Sequence, residues 1–314
     1  MLFGLFEIAG WTPSDIPDLH GRVAIVTGGN SGVGFFTSLE LARHGAKTYL
    51  ACRDRNRAEE AVKKIKDVVP DADLEILNFD LTRIHSAHLA AEDFLKRETR
   101  LDILVNNAGI LSSGYELSPD GIEVQACNGT GHFAFTIPLL PILIETSKYN
   151  PHVRIVNVAS EAHRAAWRPD FSSLLGINQK SLGRFFRYSN SKLSNILFTN
   201  ELQKKLNNSM VTCTSVHPGA VNTNLGNGYL KAFPILKLIK WIISWFLTSA
   251  EKGAYNQLYA STSPEAESSE FKGAYLVPNC KIGLKSELAR DSDGKLGEQF
   301  WNLCEALVRE NLKP

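Results

Sequence analysis

Tyr188 and Lys192 stand four residues apart in RYSNSKLSNILF (187–198), at the head of a helical run. Residues i and i+4 are neighbours on one helical face. Two readings fit that spacing: polar surface decoration, or an acid–base pair in which the ammonium favours the phenolate. A free phenol has a pKa of about 10, so proton transfer at neutral pH requires positive charge beside it. Only the rest of the chain can choose between the two.

A second candidate is TGGNSGVG, Thr27 to Gly34, which lies between strand-like RVAIVT (22–27) and helical FFTSLELARHG. Gly28, Gly32 and Gly34 are spaced G-x-x-x-G-x-G. Such glycines let backbone approach a pyrophosphate where a Cβ would obstruct it, and the following helix offers free N–H groups to the phosphates. Strand before and helix after favour dinucleotide binding over an ordinary glycine-rich turn. Arg53 ends the strand-like KTYLAC, where an acidic residue would accept from a ribose 2′-hydroxyl and a guanidinium suits a 2′-phosphate. Asp54 is adjacent, so the register is open by one residue, and Arg55 and Arg57 also read as solvated helix-start residues. The expected cofactor is NADP(H) rather than NAD(H).

These residues need elements to hold them. Strand-like and helix-like runs alternate through RNRAEEAVKKIKDV, DLEILNF, LDILVNN, a long helix from about 118 to 146, HVRIVNVAS, the helix at 188–206, MVTCTSVHPG, GAYLV and a C-terminal helix from about 294. That alternation predicts an α/β fold, a parallel sheet covered by helices on both faces. NNAG (106–109), Ser160 and HPGAVNT (217–223) then end strands and share the ligand crevice with the glycine loop. STSPEAESSE (261–270) reads as a polar surface loop. The most apolar stretch, 229–247, is interrupted by Lys231, Lys237, Lys240 and Pro234 and makes a poor membrane span. A substrate-side flap at about 222–250, a dimer surface and an interfacial helix all remain open for it; Trp241, Trp245 and Phe246 read as flap or core.

The chain has 314 residues, 44% hydrophobic and 21% charged, which is ordinary for a globular protein. Length suggests two domains, yet no Pro/Gly/Ser linker divides the chain, so a single domain over 21–314 after an extension over 1–20 is expected. Net charge +1 carries no electrostatic footprint for nucleic acid. Five scattered cysteines without a C-x-x-C pair argue against a disulfide scaffold or zinc site and suit a reducing compartment. No metal is expected: His85 and His88, three apart, lack partners of suitable spacing. His163 is read as loop structure and His217 as a packing or capping residue. The opening MLFGLFEIAGW lacks the features of a signal peptide; a cytoplasmic location is expected, with peripheral membrane association and a homodimer left open.

In this order, T-G-x-x-x-G-x-G, N-N-A-G, Ser160, Y-x-x-x-K and P-G resemble the short-chain dehydrogenase/reductase family over about residues 20–280. NGTGHF, SKLSNILFTNEL and HPGAVNT are similar to its retinol-dehydrogenase-like and WW-domain-oxidoreductase-like branch. The resemblance implies a Rossmann-type sheet of seven parallel strands, order 3-2-1-4-5-6-7. It implies Tyr188 as general acid/base, Lys192 lowering its pKa and bonding the nicotinamide ribose, and Ser160 bonding the substrate oxygen. Asn128 would hold, through its backbone carbonyl, a water linking Lys192 to solvent. Cofactor contacts would come from Gly28, Ser31, Gly32, Val33 and Gly34, from Arg53, from Asp80 and Leu81 at the adenine, and from Asn107, Ala108 and Gly109. Tyr188, Lys192, Pro218, Gly219, Val221 and Thr223 would complete them around the nicotinamide. Two features depart from the family's pattern: 28 residues separate Ser160 from Tyr188, so 161–187 must loop out and return, and residue 159 is Ala where that branch often has Ser. The expected activity is hydride transfer between NADP(H) and an alcohol/carbonyl pair, of a hydrophobic substrate given the composition of 229–247. A non-catalytic NADP(H) sensor is the alternative, disfavoured because both Tyr188 and Lys192 are present.

Overall fold

Val23–Thr27 (β1) is buried along its whole length, as a parallel strand covered on both faces must be. Successive side chains alternate between faces. Val23 and Ile25 enter one core cluster with Leu104 and Ile155, while Ala24 and Val26 enter another with Val105 and Val156. Burying each such large aliphatic side chain contributes about 1.5–3 kcal/mol. The structure, a computed structural model, describes residues 10–221 and 248–313.

The strands that follow are Lys47–Cys52 (β2), Leu74–Asn78 (β3), Ile103–Asn106 (β4), Arg154–Val158 (β5), Thr212–Val216 (β6), Tyr275–Val277 (β7) and Lys281–Ile282 (β8). They form one sheet of order β3-β2-β1-β4-β5-β6-β7-β8. The first seven are parallel, as expected, and β8 pairs antiparallel with β7. This eighth strand corrects the seven-strand expectation. It is two residues long and depends on a turn in which Asn279 and Cys280 take φ of 68° and 56°, too short a pattern to read from sequence.

Helices Gly32–Arg43 (α1), Arg55–Val68 (α2), Ile84–Arg97 (α3) and Cys127–Ser147 (α4) precede the short Leu174–Ile177 (α5) and the long Arg184–Lys205 (α6). Ala250–Thr262 (α7), Glu287–Arg290 (α8) and Lys295–Asn311 (α9) complete the described set. One face of the sheet is covered by α3, α4, α6 and α9, the other by α1, α7 and residues 11–19, where Ile16 and Leu19 are buried and Trp11 meets Tyr259 edge-on at 5.6 Å. Helix α4 is long and apolar enough to cross a membrane, but two thirds of its apolar window is buried inside the protein.

Two further expectations are corrected. Helix α4 starts at 127 instead of about 118, because Leu117 and Glu123 form an antiparallel bridge and the Ser118 hydroxyl accepts from Asp120 N and Ile122 N, closing a turn. Residues 261–270 are not a surface loop throughout. Ser261, Thr262 and Ser263 are buried at the end of α7, and Ala266 is fully buried in a following 3₁₀ turn.

Candidate active site

Loops at the carboxyl ends of a parallel sheet converge, and here they line a cleft of about 760 Å³. Gly28, Ser31, Gly32, Val33 and Gly34 come from the β1–α1 junction, Arg53 from the end of β2, and Asp80 and Leu81 from the end of β3. Asn107, Ala108 and Gly109 follow β4, Ser160 follows β5, Tyr188 and Lys192 stand on α6, and Pro218, Gly219 and Val221 follow β6. Asn128 lies behind the wall, fully buried on α4. Thr223, and all of 229–247, fall outside the described residues, but Val221 and Thr248 form a parallel bridge at the cleft.

The glycine loop is shaped for close approach. A Cβ on Gly34 would stand 2.4 Å from the Gly28 carbonyl oxygen and 2.5 Å from Asn107 Nδ2, so any larger residue would push the loop off the β4 end. Ser31 is the N-cap of α1, yet its side chain makes no capping bond; the first N–H groups of the helix are left for a ligand. At the end of β2, Asp54 Oδ1 accepts from Arg57 N at 3.1 Å, capping α2. Arg53 and Asp54 are both exposed and both line the cleft, Asp54 with this additional local role. Asp80 accepts from Thr82 N at 2.9 Å and from the Thr82 hydroxyl at 2.7 Å, which holds the β3–α3 turn.

At the other end of the cleft, Lys192 Nζ donates to the Val158 carbonyl at 2.9 Å and sits 5.8 Å from the Tyr188 ring centroid. Burial pulls the Lys192 ammonium down to about 8 from an ordinary 10.5. Gly109 passes directly over it, since a Cβ there would lie 3.7 Å from Nζ. The Ser160 hydroxyl accepts from Ala162 N at 3.2 Å; its own proton remains available to donate. Asn128 clamps the loop after β4, accepting from Ile110 N at 2.7 Å and donating to Ile110 O at 3.0 Å. Its backbone carbonyl accepts from the His132 ring at 2.8 Å. The insertion after Ser160 does loop out and return: a 3₁₀ turn and α5 carry it to α6, and Asn190 bonds the backbone of Trp167 in both directions.

Several cleft residues were not singled out from the sequence. Asn30, Phe79, Thr82, Ile110 and Leu111 line it, and Arg57 stands near Arg53. Their signal was positional only, each being within a few residues of a strand end. His217 lines the cleft as well, its ring pushed by burial to a pKa of about 4. His163 is buried and structural, with Nδ1 donating to Ser160 O and Nε2 accepting from Ser286 N. His85 is exposed and His88 faces Glu92 at 3.4 Å. Among the described residues, no group of His, Cys, Asp and Glu could hold a metal ion.

Residues 22–169 match the family model for short chain dehydrogenase. An uncharacterised oxidoreductase of Schizosaccharomyces pombe is 39% identical over 307 residues, covering 96% of this chain and 89% of that protein. The chain belongs to the short-chain dehydrogenase/reductase family. Within it the retinol-dehydrogenase-like branch is shown by retinol dehydrogenase 12 of Homo sapiens, 36% identical over 291 residues, 92% of this chain and 87% of that protein. A solved protein of Mycobacterium paratuberculosis superposes with a TM-score of 0.73 at 29% identity, covering 96% of this chain and 98% of that one. Membership of this family makes the chain an oxidoreductase with a nucleotide-binding Rossmann fold.

Proposed function

We propose that this oxidoreductase uses NADP(H) to interconvert an alcohol and a carbonyl, with Tyr188 as general acid/base. The observation that carries the reading is the convergence of Tyr188, Lys192 and Ser160 on the same cleft as the glycine loop and Arg53. The residues present fit a dinucleotide. The Cβ-free approach at Gly34 and the uncapped start of α1 suit the pyrophosphate, and the Arg53 guanidinium suits a 2′-phosphate. Asp80 and Leu81 would flank the adenine, and Val221 would meet the nicotinamide end. When bound, the nicotinamide supplies or accepts the hydride.

In the reducing direction Tyr188 gives its phenolic proton to the carbonyl oxygen. Ser160 donates a hydrogen bond to that oxygen, and the contact strengthens as negative charge grows there. Lys192 keeps a positive charge beside the phenol, which favours the phenolate left behind. Among similar proteins, those named as retinol dehydrogenases act on an apolar alcohol by that name, which supports a hydrophobic substrate here. A cytoplasmic location belongs to the same proposal, with peripheral association at a membrane left open.

Tyr188→Phe is the direct test. The ring still packs but the proton is gone, so turnover of carbonyl substrates followed by NADPH absorbance should fall by a factor of about 100 or more, with NADPH affinity nearly unchanged. A variant that keeps most of its rate removes Tyr188 from the mechanism. A wild type that binds NADPH yet turns over no alcohol or carbonyl in a broad screen supports the sensor reading instead.

A further inference from the structure

His132 takes no part in the chemistry above, yet it is only 2% exposed and hydrogen-bonded at both ring nitrogens. Nδ1 lies 2.8 Å from the backbone carbonyl oxygen of Asn128. A carbonyl can only accept, so Nδ1 carries the proton. Nε2 lies 2.9 Å from the Thr27 hydroxyl, 105 residues away in sequence. That hydroxyl already accepts from Asn107 N and Ala108 N, each at 2.9 Å. Both its lone pairs face N–H groups, Asn107 N being shared with the Val105 carbonyl at 3.0 Å, which leaves its single proton to donate to Nε2. The alternative acceptor, the Val105 carbonyl, is farther off at 3.4 Å. A doubly protonated ring would aim an N–H at a hydroxyl with nothing left to accept it.

We propose that His132 is a positioning residue: as the neutral Nδ1–H tautomer it ties the Asn128 backbone to the Thr27 hydroxyl, keeping the Asn107–Ala108 cofactor rim in register with the reaction centre. On the Asn128 side the chain of bonds continues. Asn128 Nδ2 donates to Ser191 Oγ at 3.1 Å, and that hydroxyl donates to the Tyr188 carbonyl at 2.8 Å. The ring is also stacked on Phe79, a cleft-lining residue, with planes 13° apart and centroids 6.1 Å apart. A rigid, fully satisfied imidazole behind the cleft wall thus connects β1, the loop after β4, α4 and α6. A buried donor or acceptor left without its partner costs free energy equivalent to roughly a tenfold change in an equilibrium or rate.

The part concerning the reaction centre rests on the reading of Tyr188 as acid/base; the tautomer and the dinucleotide rim do not. Three variants separate the two bonds of the ring. His132→Gln can place an amide oxygen near Nε2 and keep the acceptor for Thr27. His132→Asn can place an amide N–H near Nδ1 and keep the donor to Asn128. NADPH affinity is read by its fluorescence, turnover by absorbance, and folding by melting temperature. His132→Gln should hold NADPH affinity and lose about tenfold in kcat; His132→Asn should hold kcat and lose about tenfold in affinity; His132→Phe should lose both. Nitrogen-15 shifts of the wild-type ring should report a neutral Nδ1–H tautomer that does not titrate from about pH 5.5 to 8.5. Parallel losses of affinity, kcat and melting temperature in all three variants would show a packing role and overturn the proposal, as would a ring protonated at Nε2. If the wild type turns over nothing while the affinity pattern and the tautomer are as stated, the enzymatic reading fails and the tie stands.

Discussion

Arg53 and Asp54 are adjacent, and in a sequence either could be the residue that meets the adenosine ribose. The Asp54 carboxylate caps α2 through one oxygen, accepting from Arg57 N, while the Arg53 guanidinium stands beside it, exposed at the cleft. Arg53→Ala should therefore weaken NADPH much more than NADH, since only the former carries a 2′-phosphate. A hydrogen bond to a charged group contributes about 1.5–3 kcal/mol, which corresponds to a selective loss of tenfold or more in the dissociation constant. Titrations of both dinucleotides against the variant check this; equal losses would detach Arg53 from cofactor choice. Arg57 lines the same cleft, and a residual NADPH preference in the variant would trace to it.

At the level of elements, α4 sets how the cleft is walled. Its Gly131 packs so closely on the β3–α3 turn that a Cβ there would stand 2.2 Å from the Leu81 carbonyl oxygen and 2.9 Å from Leu81 Cδ1. Backbone cannot yield as a side-chain tip can, so Gly131→Ala must move the helix or the turn. Overpacking of this kind costs about 1–3 kcal/mol, and because Leu81 lines the cleft, NADPH affinity should fall with the melting temperature. Unchanged denaturant midpoint and affinity would show that α4 has slack here. The head of α4 is held to α6 by the buried Arg187–Glu123 pair, 3.1 Å apart, with Glu123 also accepting from Gln125 N and Ala126 N. The long loop after Ser160 returns to that pair, which is how an insertion of such length still delivers Tyr188 to the cleft.

For the whole molecule, the buried histidines make stability pH-dependent. Burial holds His132 down to about 3 and His217 to about 4, from an ordinary 6.5. In the unfolded chain both protonate as pH falls through about 6.5; in the folded chain they stay neutral until far lower. The unfolded state thus binds more protons in that window, so their contribution is present above pH 6.5 and is lost as pH falls towards their folded values. The effect is on the order of 3 kcal/mol for His217 and larger for His132, whose pKa is displaced further. Urea midpoints measured from about pH 7 to about pH 4.5 should decline, and His132→Phe should flatten the decline whatever it does to the midpoint at pH 7. An unchanged slope would mean that the ring titrates normally in the folded chain.

Short-range patterns settled much of this protein. Apolar β-branched runs specified the first seven strands, glycine spacing specified the tight β1–α1 loop at the cleft, and the four-residue separation of Tyr188 and Lys192 specified one helical face, because each property repeats within a few residues. What required tertiary structure lay at long range. Helix α7 buries Asn256, Gln257, Ser261 and Thr262 along with its apolar residues, so no clean hydrophobic period marked it. The start of α4 was decided by a turn closed through the Ser118 hydroxyl and tied to α3 by Asp120, which accepts from Ile84 N. Strand β8 exists only because β7 gives it a partner edge. His132 acquired its role from Thr27, a hundred residues earlier, through one hydrogen bond: a pairing that only a folded chain can bring within 2.9 Å.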